Sequence, residues 1–279
     1  MKHIKHHPAI VKALLTAALA LTSSVSMAAS TWTLNSGNGT QTPAGTSGGY
    51  GNSYSFGGLT VTAYGASTSG TPSSYSSAWV GQWSGGLGVG SRAEGGNTVT
   101  SNEHTLDNNP LNGLSDVLIL KFDTAVALDK ITLGYIVGDA DITVMAYNGA
   151  ASLGSLFNGQ TSAANVTSAV NAQGGWSLIK NIGDGGSTQA TETAPLERSV
   201  GNDGNVVASW WVIGAYNSGF GGTAISNSDS LADYVKVLSV ATKDVNTTPP
   251  RNTVAEPVSL ALAGVALLGV AGTRRRRKG

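Results

Sequence analysis

DVLILKFD, residues 116–123, is the stretch on which the fold turns. An apolar run bounded by turn-favouring Asp116 and Asp123 has the pattern of a strand buried on both faces. Working outward, Ile131, Leu133, Tyr135 and Val137 alternate on one face, and beyond Gly138-Asp139-Ala140 the residues Ile142, Val144 and Ala146 do the same. The two segments read as an antiparallel hairpin. Val206–Tyr216 and Tyr234–Ala241 read as further strands, with GNDG (201–204) and SNSDS (226–230) as polar turns between elements. No helical segment of crossover length intervenes, which disfavours a parallel α/β sheet. The expectation is an all-β fold, a jelly-roll-like or Greek-key antiparallel β-sandwich occupying residues 29–244.

Upstream, residues 37–96 hold 17 glycines among Ser, Thr and Tyr, and should form short strands in long turns. Tyr50, Tyr54, Phe56, Tyr64, Tyr75, Trp79 and Trp83 in the same stretch argue for packed structure rather than a flexible linker. The chain has no cysteine, which excludes disulfides, thiolate catalysis and Cys-ligated zinc. A body of this length buries enough apolar surface to fold without such staples.

The ends of the chain differ from its body. Lys2, Lys5 and Lys12, an apolar stretch over Ala13–Leu21 and small residues around Ser26-Met27-Ala28 have the form of a signal peptide, residues 1–28, cleaved between Ala28 and Ala29. At the other end, residues 245–254 read as a linker and Val258–Gly272 as fifteen uncharged residues, followed by Arg274, Arg275, Arg276, Arg277 and Lys278. As a helix this segment spans about 22 Å, marginal for a bilayer core of about 30 Å. The basic cluster suits the cytoplasmic headgroups and a stop to translocation. Between these ends, residues 29–256 carry 8 basic and 16 acidic side chains, a net charge of −8 hidden by the formal zero of the whole. An acidic body without a basic stripe argues against nucleic acid as a partner.

Glu256-Pro257, a short apolar segment and an arginine cluster, in that order at the C-terminus, resemble the PEP-CTERM sorting signal of Gram-negative bacteria, with Ala255 standing where the family usually has the first proline. The resemblance implies residues 255–279 as a sorting signal with a single transmembrane helix at 258–272 and Ala255, Glu256 and Pro257 as the processing motif. It further implies export through the Sec translocon, a transient hold in the inner membrane and processing by exosortase. Delivery is then to the cell surface or the exopolysaccharide of a biofilm matrix. Within the body, Trp83–Glu94, His104–Asn108, Asp116–Phe122 and Gly138–Tyr147 are similar to a block that recurs in exosortase-dependent surface proteins, and Trp211–Tyr216 and Asp233–Ala241 resemble its closing strands. That similarity implies fold and location, not an activity.

Nothing in the residues points to catalysis. His104 is the one histidine after the signal, and no G-x-S-x-G elbow is present. Two binding chemistries are better supported. Glu94, Asp107, Asn108, Asp139 and Asp141 are hard oxygen ligands in turn-rich segments and form a candidate calcium set, although Asp and Asn also occupy turns because their side chains bond nearby amides. Trp83 and Trp210 are candidates for stacking on sugar rings, the competing role being core packing. Trp210 and Trp211, adjacent in a strand, must face opposite sides of a sheet. The sequence therefore reads as an exported structural protein of the cell surface or matrix, with a secreted carbohydrate-binding module as the alternative.

Overall fold

The apolar run at 117–122 is the first third of a strand that continues for 22 residues, Val117–Gly138. It sits in a computed structural model that describes residues 29–45, 47–98, 102–108, 113–183, 193–225 and 232–245. In chain order the strands are β1 (Thr31–Thr33), β2 (Thr40–Thr42), β3 (Ser53–Ser55), β4 (Leu59–Ala66), β5 (Tyr75–Ser77), β6 (Trp79–Trp83), β7 (Gly86–Gly90), β8 (Leu106–Asp107), β9 (Val117–Gly138) and β10 (Ile142–Tyr147). After two helices, α1 (Leu153–Phe157) and α2 (Ala163–Gln173), come β11 (Trp176–Ile182), β12 (Leu196–Ser199), β13 (Ala208–Ala215) and β14 (Asp233–Lys243). All belong to one compact unit, Met27–Val245. The predicted signal peptide and the predicted membrane segment 258–272 lie outside the described residues. Among the described residues no helix is long and apolar enough to cross a membrane.

Among the described residues every ladder between the named strands is antiparallel, as expected, with one isolated parallel bridge between Asp139 and Asp233. Two sheets share β9. Its first part, to Val126, lies between β4 and β13 in a sheet that continues through β10 to β11 on one side and β3 to β2 on the other. Its second part, from Ala127, lies between β12 and β14, and β1, β7 and β8 pair along the far edge of β14. A straight strand of this length would extend roughly 70 Å. Yet the backbone N–H of Asp116 donates to Asp107 O at 2.8 Å, while Asp233, the partner of Gly138, is bonded to Asn108. Both ends of β9 are thus anchored to consecutive residues, so the strand doubles back through exposed Asp123 and Thr124.

The doubling back lays one sheet over the other. Leu59, Val61, Leu118, Leu120, Val144, Trp211 and Ile213 of the first sheet share a core with Val80, Leu87, Leu133, Val235, Val237 and Val240 of the second. The opposite face of the first sheet is covered too. Val117, Ile119, Met145, Tyr147 and Val212 pack against Leu153, Phe157, Val166 and Val170 of the two helices. This explains why 117–120 are apolar at consecutive positions: that segment has no solvent side. In the second sheet Ile131 and Leu133 are buried while Lys130 is exposed, the alternation of a sheet with one covered face.

Three expectations are corrected. The segments at 131–137 and 142–146 do not form a hairpin: β9 pairs there with β14, and β10 pairs with β11 and β13. Gly138–Asp141 carries the chain from one sheet to the other. Nor do Tyr135 and Val137 share the buried face of Ile131 and Leu133. The register with β14 runs Lys236↔Tyr135 and then Val237↔Leu133, leaving Gly134 unpaired, and this bulge turns Ile136 toward the core and Tyr135 and Val137 outward. Finally, a helix does connect β10 to β11. The Ser162 hydroxyl of α2 accepts from the Asn165 N–H at 3.1 Å, and Gly174 (φ 72°) ends it.

The two environments along β9 give a direct test. Ile119→Ala and Leu120→Ala, neighbours facing different cores, should each lower stability by about 2–5 kcal/mol. Lys130→Ala, which removes the exposed 2.8 Å pair with Glu197, should leave the unfolding midpoint close to that of the parent. Urea unfolding midpoints of the three variants report the difference.

Candidate functional site

The carboxylates predicted as one calcium set are sorted by the fold into two groups, one at each end of β9. Asp116 precedes the strand, Asp107 ends β8, and Glu94 stands in the turn after β7; an oxygen from each lies within 4.8 Å of the others. Asp139 follows the strand and, with Asp141 and Asp233, forms a second trio meeting the same distance limit. Asp107 and Asn108, adjacent in the chain, serve one group each. The sequence reading missed Asp116 and Asp233, although both mark strand ends, because spacing along the chain does not show which ends meet.

The two groups differ in what satisfies them. In the second, the Asp141 N–H donates to Asp233 Oδ1 at 2.9 Å, the Asn108 amide donates to Asp233 Oδ2, and the Asp233 N–H donates back to Asn108 Oδ1 at 2.9 Å. The Ala140 N–H donates to Asp139 Oδ1 at 2.7 Å. These carboxylates fasten β8, β10 and β14 to the end of β9 through backbone amides and the Asn108 side chain. In the first group the Ser91 N–H donates to Glu94 Oε2 at 2.8 Å, and Asp116 Oδ2 is buried without a hydrogen-bond partner. Burial raises the Asp116 carboxyl well above the ordinary carboxylate range, and the charges of Glu94 and Asp107 raise it further. Burial also raises Glu94, held back by its hydrogen bonds with Ser91 and Asp107.

A different site surrounds Lys236. The bulge at Gly134 places Tyr135 beside it across the strands, with the ammonium 3.7 Å from the Tyr135 ring centroid and 4.9 Å from that of Trp83. Trp83 reaches there because β6 alternates Trp79-Gly81-Trp83 on one face. A Cβ at Gly81 would collide with both indoles, which meet edge to face at 5.5 Å. The His104 ring meets Trp83 at 4.5 Å, and the Tyr135 hydroxyl bonds Asn102 Oδ1 at 2.7 Å. These residues with Ser84 and Gly85 line a cavity of about 350 Å³. Lys236 is 3% exposed, and burial lowers its amine to about 8. His104 is lowered by burial and by the neighbouring Lys236 charge.

Trp83, a predicted sugar-stacking residue, is thus a cavity wall already touched by three side chains rather than an isolated platform. Trp210, the other, lies on the helix side of its sheet under the Lys121 ammonium at 5.3 Å, whereas Trp211 is fully buried between the sheets. The two do face opposite sides. Trp210, Lys121, Tyr64, Thr60 and Thr62 border a smaller cavity of about 210 Å³. Lys236 was not read as a site residue; its only signal was one cation inside an apolar strand, YVKVLSVA.

Lys236 makes stability depend on pH with a definite sign. The folded amine titrates near 8, below its ordinary 10.5, so between these values the folded protein has released a proton that the unfolded chain retains. Stability should therefore rise as pH increases from about 8 to 10.5. Urea midpoints across this window should show that rise reduced in Lys236→Met relative to the parent.

Comparison with known protein families, curated proteins and solved structures gave no match to the chain.

Proposed function

We propose that the chain is an exported structural protein of the cell surface or exopolysaccharide matrix of a Gram-negative bacterium, without a catalytic role. In this reading its jelly-roll-like or Greek-key body is released from a signal peptide and handled by exosortase at Ala255-Glu256-Pro257. Val258–Gly272 is the temporary membrane hold, and Arg274–Lys278 the stop to translocation. The observation that carries this reading is the order of the tail, with its Glu-Pro, apolar and basic parts, in a chain that opens on a signal-like leader. One structural feature supports it. β1 pairs with the end of β14, Thr31↔Ala241, and the Thr242 N–H donates to Ser30 O at 2.9 Å. The body therefore begins and ends on neighbouring strands, and its cleavage at either end leaves the pairing intact.

The cavity at Lys236 favours a second reading, a carbohydrate-binding module with the same address. An indole, a phenol, an imidazole, an amide and a desolvated amine converging on one cavity supply apolar and hydrogen-bonding groups together, as a sugar site requires.

Intact mass and fractionation of the protein from its host test the first reading. A species starting near Ala29, lacking the residues after about Glu256 and found at the surface or in the matrix, is expected; a tail retained through Gly279 in the inner membrane overturns it. Binding to the host's extracted polysaccharide tests the second. It should fall at least about tenfold, the equivalent of 1.4 kcal/mol, in Trp83→Ala with the fold retained.

A further inference from the structure

Three carboxylates are drawn together where β4, β7, β8 and β9 meet, from chain positions that no local turn could bring into contact. Asp116 is 4% exposed and Asp107 2%, while Glu94 is only partly covered. The place occupied by the Asp116 side chain exists because residue 65 in β4 is glycine: a Cβ there would collide with Asp116 Oδ1 and stand 2.8 Å from the Ser91 Cβ. The arrangement is therefore built into the neighbouring strand. The basic side chain nearest to it in the sequence is engaged elsewhere. Arg92, two residues from Glu94, lies over the Tyr50 ring at 4.3 Å from its centroid, and its Nη2 is directed to Ser77 Oγ at 3.4 Å. One oxygen of Asp116, withdrawn from solvent, has no donor at all.

Buried carboxylates at this separation repel one another and lose their hydration, a cost relieved by a proton or by a cation. A proton neutralises one charge; a hard divalent ion neutralises two and also gives the unpartnered oxygen a ligand bond. We propose that Glu94, Asp107 and Asp116 bind a hard divalent cation of the calcium class, with Glu94, the partly exposed member, on the side of entry. The ion ties the turn after β7 and the end of β8 to the beginning of β9, so it acts as a cross-link inside the fold. The site stands on these side chains and is independent of the export reading, although an extracellular address supplies calcium at the concentrations such modules use. The trio Asp139, Asp141 and Asp233 is not assigned an ion, since backbone amides and Asn108 already donate to it.

The test uses residues 29–245, which contain all the described strands and both cores, stripped of metal and titrated with CaCl2 and with MgCl2 by calorimetry and thermal melting. One equivalent of ion should bind, and the Tm should rise by about 5–10 °C at a hundredfold excess over Kd. Asp116→Asn should abolish both effects while its metal-free Tm stays at or above that of the metal-free parent, because a mutual repulsion has been removed. Glu94→Gln serves in its place if that variant does not fold, and Asp233→Asn should keep the ion response. Absence of binding and of any Tm shift with both ions up to about 10 mM, tenfold above the weakest extracellular sites, overturns the proposal. So does an Asp116→Asn protein that responds to calcium as the parent does.

Discussion

The fold depends on one constraint: a single strand must complete two sheets. β9 gives Val117–Val126 to one sheet and Ala127–Gly138 to the other, and its ends return to Asp107 and Asn108. Backbone hydrogen bonding is satisfied along most of its length, so the turn between the sheets needs no long irregular connection. Each half must then meet the environment of its own sheet. The first, between the second sheet and the helices, needs apolar side chains at successive positions; the second, covered on one face, needs alternation.

From this constraint follow the two sites. Where β9 leaves strict alternation, at Gly134, Tyr135 is turned to the outer face and meets Lys236, so the aromatic cradle is a product of the bulge. Where β9 begins and ends, the chain changes partners and polar residues gather to satisfy the freed backbone groups. The ends carry Asp116 and Asp139, and because the strand doubles back, both come close to the same dipeptide.

Much of this could be read from the residues, and the failures have specific causes. The reading of a strand without a solvent face holds for Val117–Leu120, whose apolar positions are consecutive, while Lys121 is exposed; the reading against a parallel α/β sheet agrees with the antiparallel ladders, although α2 lies where no helix of that length is expected. The supposed hairpin at 131–146 failed because Gly138-Asp139-Ala140-Asp141 has the composition of a tight turn whether it joins neighbours or crosses between sheets. Tyr135 and Val137 were misassigned since periodicity carries no record of an unpaired residue. α2 was missed because its core contacts come from only Ala163, Val166 and Val170 in a Ser, Thr and Asn background, a stripe too narrow to show as periodicity. Of the candidate ligands, Glu94 and Asp107 belong together, but Asn108 is bonded into the group of Asp139 and Asp141.

That division shows what decides the role of a buried carboxylate. Both trios consist of carboxylates at comparable separations beside the same dipeptide, so the type of group and its distance do not distinguish them. Hydrogen-bond supply does. The chain turns at Gly138–Asp141 in a way that aims the Ala140 and Asp141 amides at carboxylates, and the Asn108 side chain adds another donor. At Asp116 the backbone N–H donates to Asp107 O, so that amide is not available to the residue's own side chain. The Asp139 group is a latch made from backbone and Asn108 donors, whereas the Asp116 group keeps one carboxylate oxygen buried without a donor, the feature on which the proposed cation site rests.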